Sequence, residues 1–123
     1  LGKIVAFAPD GSRFEILSSG HRNVQGLVFD AARDALYAHE HGPRGGDELN
    51  RIEPGRNYGW PLVTHGLDYT GAKVSPFERL DGYADPMLVW TPSIAPAGLA
   101  VYRGAMYPEW DGDLLVAALA ARE

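Results

Sequence analysis

The sequence predicts an all-β protein. Its 123 residues include 15 glycines and nine prolines, which interrupt the chain every few residues. These interruptions leave almost no window of about eleven residues with a helical apolar repeat. Between them lie about eight short apolar or alternating segments bounded by turn residues, a pattern typical of β-strands. Strands at this spacing fit a sandwich, a barrel or a propeller.

Two antiparallel hairpins are predicted in the first third of the chain. In the first, residues 4–7 (IVAF) pair with residues 13–17 (RFEIL) across a Pro-Asp-Gly turn. In the second, residues 27–29 (LVF) pair with residues 35–38 (ALYA). Proline fixes the backbone for such turns, and glycine and aspartate tolerate the conformations that turns require.

A long irregular segment divides the remaining strands. Residues 48–52 (ELNRI) are predicted to form a strand that ends at a Pro-Gly pair. Residues 53–86, rich in Gly, Pro and Tyr, are predicted to form a long loop, which in a compact domain is usually functional or packed on itself. Strands then resume at residues 87–90, 98–102 and 114–119.

One weak internal repeat favours a propeller. Residues 25–29 (QGLVF) and 97–102 (AGLAVY) both place a glycine before an apolar strand, and they begin 72 residues apart. Without the long loop, this spacing approaches the ~40 to 50 residues of a four-stranded blade. The sequence therefore predicts a piece of a longer protein that cannot close a ring alone. Its expected parts are the end of one blade, a blade containing the loop 53–86, and the start of the next, at residues 1–18, 24–90 and 98–123.

Composition excludes several classes of function. A hydrophobic content of 46% with 22% charged residues is typical of a globular domain. Eleven basic and sixteen acidic residues give a net charge of -5, which disfavours a nucleic-acid partner or an anionic membrane surface. The absence of cysteine excludes disulfides and thiolate metal sites. No apolar run reaches the ~20 residues of a membrane span, and no phosphate-binding loop or nucleophile elbow is present.

The most promising polar stretch is residues 41–61 (HGPRGGDELNRIEPGRNYGWP). A glycine-rich turn precedes the adjacent carboxylates Asp47 and Glu48. Calcium takes about six to eight oxygen ligands, which carboxylates and turn carbonyls can supply. The oxygen of Tyr58 could reach a metal beside Glu48. The competing interpretation is a solvated acidic pair at the start of a strand.

Two further pairs of residues allow alternative interpretations. The planar guanidinium of Arg22 suits a carboxylate or phosphate, and Asn23 can both donate and accept hydrogen bonds. A surface ion pair and a turn residue would explain the same two positions. His39 and His41 could bind a metal from one strand face, although no third ligand lies nearby in the sequence.

Three motifs, taken together and in order, resemble the soluble pyrroloquinoline quinone (PQQ)-dependent sugar dehydrogenases. They are RNVQG at residues 22–26, EHGPRGGDELN at residues 40–50 and NYGWP at residues 57–61. The resemblance is to the aldose sugar dehydrogenase branch of the glucose/sorbosone dehydrogenase family, and residues 90–98 and 110–119 extend it. It implies part of a six-bladed β-propeller that holds PQQ at one end of the ring. It also implies oxidation of an aldose to a lactone, an external electron acceptor, and a periplasmic or secreted location.

The resemblance assigns one set of residues to the cofactor pocket. Arg22 and Asn23 would contact the carboxylates and quinone oxygens of PQQ. His41, which replaces a glutamine of the glucose dehydrogenase branch, and Asp47 would line the same pocket. Arginine and calcium would both stabilise a bound tricarboxylate cofactor, because their positive charge neutralises its carboxylates.

The resemblance assigns a second set to calcium. The carbonyl groups of Gly42 and Pro43 would bind the ion that bridges to PQQ. Glu48 and Tyr58 would hold a second, structural calcium ion, with Asp68 as a further candidate.

The sequence also departs from the family pattern. Ser93 replaces a threonine, and Ala120 stands where the glucose dehydrogenase branch has lysine. The general-base histidine of the family belongs to an earlier blade, and none of the four histidines here matches it. The chain alone is therefore predicted to be inactive. A different hypothesis is a calcium-stabilised propeller that binds sugar or protein without redox chemistry.

Overall fold

The all-β prediction is confirmed. The computed structural model describes residues 2–120, and the predicted blade limits at residues 1 and 121–123 lie outside that range. The described residues form eight β-strands and one short 3-10 helix, Pro108–Trp110. Each predicted strand overlaps an observed one. The strands are β1 (Lys3–Phe7), β2 (Phe14–Ser19), β3 (Val24–Asp30), β4 (Ala35–Glu40), β5 (Asp47–Ile52), β6 (Leu88–Trp90), β7 (Pro96–Val101) and β8 (Leu114–Ala118).

The strands form three antiparallel sheets. β1 pairs with β2, the central sheet has the order β3-β4-β5-β6, and β7 pairs with β8. In the central sheet Glu40 lies opposite Glu48, and Asp47 lies opposite Trp90. The register between β3 and β4 shifts between Val24 and Gly26. This register brings the end of β4, the start of β5 and the end of β6 together at one edge of the sheet.

A small apolar core joins the first sheet to the central sheet. Its buried members are Ile4, Ala38, Ile52 and Tyr58. Fully burying a side chain such as Ile52 contributes about 1.5–3 kcal/mol to stability. Because the core reaches from β1 to the long loop, it fixes the position of Tyr58 relative to both sheets.

The long loop between β5 and β6 folds back over the β4–β5 connection. Arg44 and Leu67 exchange backbone hydrogen bonds of 3.0 and 3.1 Å. Gly46 has a φ of +71°, and a Cβ there would lie 2.5 Å from the nitrogen of Gly66. Only a glycine fits so close to another backbone in this conformation. The long loop is therefore packed against residues 41–46 and held there by backbone hydrogen bonds.

The central and third sheets meet through β3 and β7. Asp30, at the end of β3, lies 2.8 Å from Nη2 of Arg103 and 2.9 Å from Nη1 of Arg33. Burial alone would raise the pKa of Asp30, but hydrogen bonds from these two arginines outweigh it and hold the pKa below its usual value. In the described part of the chain, no helix is long and apolar enough to cross a membrane.

Candidate functional site

The connection between β4 and β5 is a tight turn built on glycines. A Cβ on Gly42 would lie 2.1 Å from the carbonyl oxygen of Gly45 and 2.5 Å from that of Gly46. Gly45 also has a φ of +70°, in the left-handed region. The turn therefore folds its backbone carbonyl groups close together. Among the hydrogen bonds of the described residues, none ends on the carbonyl oxygen of Gly42 or Pro43.

Asp47 braces this turn from below. The residue is fully buried, and its Oδ1 accepts a 2.9 Å hydrogen bond from the nitrogen of Gly42. Its Oδ2 accepts hydrogen bonds from the hydroxyl of Ser93 at 2.5 Å and from the nitrogens of Ile94 and Ala95 at 2.9 and 3.0 Å. These four contacts tie the turn to the segment before β7. A contact between Asp47 and PQQ stays a prediction.

Arg22 lies above the turn and is held from three sides. Its Nη1 donates to the carbonyl oxygen of His41 at 3.2 Å, and its Nη2 donates to the hydroxyl of Tyr69 at 3.2 Å. Its guanidinium carbon lies 5.3 Å from the centre of the Trp60 ring, within the range of a cation–π contact. The long loop thus orients Arg22 through two aromatic side chains.

Asn23 and His41 lie side by side at the same edge. The nitrogen of His41 donates to the carbonyl oxygen of Asn23 at 3.1 Å. The ring of His41 donates from Nε2 to the carbonyl oxygen of Pro96 at 2.8 Å. Asn23 is exposed, and its Oδ1 accepts a 2.9 Å hydrogen bond from Gln25.

A small cavity lies between these groups and the start of β5. Its volume is about 10 Å³, which is close to that needed for one water molecule or one ion. Five of the eight predicted site residues line it. They are Arg22, His41, Gly42, Glu48 and Tyr58; Asn23, Pro43 and Asp47 do not line it.

Two carboxylates face this cavity, and among the described residues neither forms an ion pair with an arginine or lysine. Glu40 and Glu48 are cross-strand neighbours, and Nδ2 of Asn50 bridges them at 3.4 and 3.3 Å. Burial and the charge of Glu40 raise the pKa of Glu48 to about 7, against a lowering by the hydrogen bond from Asn50. Oδ1 of Asn50 is buried without a hydrogen-bond partner. A cation beside the two carboxylates would relieve their repulsion, so the residues present fit a calcium ion.

The other predicted calcium ligands are placed less directly. The hydroxyl of Tyr58 donates to the carbonyl oxygen of Arg51 at 2.5 Å and accepts from the nitrogen of Glu53 at 3.0 Å. Its backbone carbonyl is therefore the atom left for a metal. Asp68 is half-buried, and its Oδ1 accepts hydrogen bonds within its own turn, which lower its pKa. Within residues 2–120, no three histidine or acidic side chains form a metal-binding group.

The histidines divide into different environments. The ring of His39 is fully buried with neither nitrogen hydrogen-bonded, and it lies beside Gly26. His41 instead points to the carbonyl of Pro96, so the structure does not bring His39 and His41 onto a shared ligand. His21, which has no local signal in the sequence, is buried and lies 2.9 Å from Glu40. Sequence reasoning assigned no role to Glu40, because its partners lie 10 to 19 residues away.

The family model for glucose and sorbosone dehydrogenases matches residues 2–123. The chain belongs to this family. The resemblance to this family is thereby confirmed.

Individual family members agree with this assignment. The aldose sugar dehydrogenase YliI of Escherichia coli K12 is 43% identical over 111 residues, which cover 89% of this chain and 30% of that protein. The crystal structure of the soluble aldose sugar dehydrogenase of Escherichia coli in its apo form is 42% identical. It matches with a TM-score of 0.81, and the match covers 91% of this chain and 33% of that one.

A further solved structure is the PQQ-bound form of an aldose sugar dehydrogenase from Streptomyces coelicolor. It is 35% identical and has a TM-score of 0.69, over 97% of this chain and 32% of that one. The chain spans about a third of the length of the curated relatives it matches first. The predicted fold is confirmed: the chain is part of a six-bladed β-propeller.

Proposed function

We propose that the protein containing this chain is a PQQ-dependent dehydrogenase that oxidises aldose sugars at the anomeric carbon to lactones, with calcium assisting cofactor binding. The observation that carries this proposal is the convergence of Arg22, His41, Gly42 and Glu48 on one cavity at one edge of the sheet. These residues come from two separate motifs of the chain, residues 22–26 and 40–50. The PQQ-bound relative from Streptomyces coelicolor supports the choice of cofactor.

Arg22 is the residue that would hold the acidic groups of the cofactor. PQQ, when bound, takes up the two electrons and the hydrogen that leave the sugar as the lactone forms. The guanidinium is fixed by His41, Tyr69 and Trp60 before any ligand arrives. A planar donor fork held in this way suits bidentate recognition of a carboxylate with little loss of side-chain freedom. Asn23, at the same edge, would present its side-chain amide to a quinone oxygen.

Calcium would be held at two places. The carbonyl groups of Gly42 and Pro43, folded together by the glycine turn, would hold the ion next to the cofactor. Glu48 and the carbonyl of Tyr58 would hold a structural ion, and the repulsion between Glu48 and Glu40 supports a cation there. A calcium ion supplies positive charge that neutralises carboxylates and polarises a carbonyl oxygen.

The proton acceptor is proposed to lie outside this chain. His21 is bonded to Glu40 and Ser18, and His39 is enclosed between strands. His41 uses its Nε2 on the carbonyl of Pro96. With these rings engaged or enclosed, the chain alone is proposed to be inactive, and the general base is assigned to an earlier blade, as the resemblance implies.

The organisation of the parent protein follows the same reasoning. We propose that residues 1–18 end one blade, residues 24–90 form the next with its loop at 53–86, and residues 98–123 start a third. The sizes of the three sheets support this division. An external electron acceptor and a periplasmic or secreted location are supported by the resemblance alone.

The deciding experiment uses the full-length protein reconstituted with calcium and PQQ. The expected result is reduction of an artificial electron-acceptor dye that depends on an aldose and stops when PQQ is omitted. Binding of PQQ without dye reduction by any aldose would refute the dehydrogenase. Calcium-dependent stabilisation with no PQQ binding would favour the alternative, a propeller that binds sugar or protein without redox chemistry.

A further inference from the structure

Glu40 is a buried carboxylate near the proposed cofactor site that makes four polar contacts. It ends β4, and 5% of its surface is exposed. Oε2 accepts a 2.6 Å hydrogen bond from the nitrogen of Arg22 and a 3.3 Å hydrogen bond from the nitrogen of Asn23. Oε1 lies 2.9 Å from Nδ1 of His21 and accepts a 3.4 Å hydrogen bond from Asn50. One side chain therefore holds the backbone of Arg22 and Asn23 and the ring of His21.

The sheet leaves this backbone in need of an acceptor. The register of β3 shifts between Val24 and Gly26, so the amides just before β3 fall outside regular strand pairing. Two consecutive N–H groups that point the same way form a concave site that favours an anion, and hydrogen bonds to a carboxylate are stronger than neutral ones. Glu40 occupies that site with a charged group from the chain itself.

The neighbouring peptides also interlock. Next to Glu40, the nitrogen of His41 donates to the carbonyl oxygen of Asn23, and the carbonyl oxygen of His41 accepts from Arg22. His21 is fixed in turn, because its Nε2 lies 2.8 Å from Oγ of Ser18 and its ring stacks on Tyr58 at 4.8 Å. Asn23 is thus held at its amide and its carbonyl, and Arg22 at its amide and its guanidinium.

We propose that Glu40 is a positioning residue for cofactor binding: its carboxylate fixes the peptide that carries Arg22 and Asn23, so that both side chains face the acidic and quinone oxygens of PQQ. Glu40 does not itself touch the cofactor in this arrangement, because its oxygens are engaged by the chain. The inference rests on the proposed function and adds a residue to it.

Two substitutions of Glu40 separate the effect of side-chain length from the effect of charge. Glu40→Gln keeps an oxygen at the same distance for the amides of Arg22 and Asn23, and its amide group can face Nδ1 of His21 after a change of tautomer. Glu40→Asp keeps the charge but withdraws it by about 1.5 Å, the length of one C–C bond. Asp30→Asn is the matched control, because Asp30 is a buried carboxylate at the opposite end of β3.

The measurement is the equilibrium dissociation constant for PQQ, obtained by absorbance titration of the full-length protein with calcium present, together with the melting temperature. Glu40→Asp is expected to weaken binding about tenfold or more, since a misplacement of about 1 Å can lose that much. Glu40→Gln is expected to remain within about threefold of the wild type. Asp30→Asn is expected to lower the melting temperature and leave the dissociation constant unchanged.

The outcomes distinguish the two proposals. Failure of the wild type to bind PQQ would refute the proposed function and this inference with it. Wild-type binding with an unchanged dissociation constant in Glu40→Asp would refute the inference alone. Equal losses in Glu40→Asp and Asp30→Asn would assign Glu40 a general structural role and would also overturn it. In a double-mutant cycle, Arg22→Ala should abolish most of the effect of Glu40→Asp, because both changes act through the contact between Arg22 and PQQ. Additive effects of the two substitutions would contradict the positioning role.

Discussion

Replacing Glu48 with glutamine should stabilise the metal-free protein at neutral pH. The pKa of Glu48 rises from 4.5 to about 7 because of burial and the nearby charge of Glu40. At about 1.4 kcal/mol per pKa unit, ionising Glu48 in the folded protein costs about 3 kcal/mol. A raised carboxyl pKa means that the stability contributed by the protonated group is complete below about pH 4.5 and is lost as the pH rises to about 7. Glutamine removes that loss.

Calcium should reverse the order of the two proteins. An ion held by Glu48 converts the repulsion into attraction, and a ligand at about 100 times its dissociation constant stabilises a protein by about 2.7 kcal/mol. Wild-type protein should therefore gain more from calcium than Glu48→Gln does. Full-length protein would be unfolded by urea from pH 5 to pH 8, once with a chelator and once with calcium.

The control and the contradicting results are specific. Glu15→Gln changes an exposed carboxylate in β2 and should alter neither the pH dependence nor the calcium response. If, with chelator present, the free energy of unfolding depends on pH in the same way for the wild type and for Glu48→Gln, Glu48 does not carry the raised pKa. If calcium stabilises both proteins equally, Glu48 is not a ligand.

Three further substitutions test other parts of the site. Arg22→Lys should weaken PQQ binding about tenfold or more in an absorbance titration, because lysine lacks the planar donor fork; equal affinity would remove Arg22 from the pocket. Asp47→Ala should lower the free energy of unfolding by about 2–4 kcal/mol in urea, because it leaves the amides of residues 94–95 without their acceptor. A change below about 0.5 kcal/mol would show that the brace is dispensable. Gly26→Ala should destabilise by about 1–3 kcal/mol, since its Cβ would lie 2.4 Å from Nε2 of His39, which is fully buried; an unchanged melting temperature would contradict that packing.

The strands could be predicted because their signals are local. Each of the eight is a short apolar or alternating segment between turn residues, and each overlaps a strand in the structure. The path of residues 53–86 could not be predicted, because it depends on distant backbone contacts such as that between Arg44 and Leu67. Glycines such as Gly46 and Gly66 permit this close approach, but the sequence does not indicate which distant segment packs against them.

The site was predictable where motifs carried it. The sequence places Arg22 and His41 in the cofactor pocket and Gly42 and Glu48 at two calcium sites, and in the structure all four line one cavity. The hydrogen bonds that support these residues have no local signal in the sequence. Asp47, for example, accepts from backbone N–H groups that lie 47 and 48 positions further along the chain. The same holds for Glu40, whose charge joins groups brought together only by the pairing of strands.

Equilibrium titration of PQQ into the full-length protein is the most direct test of the proposed cofactor site. Saturable binding of one PQQ per chain is expected when calcium is present, with weaker binding after calcium is removed by a chelator. Absence of saturable PQQ binding in the presence of calcium would contradict it.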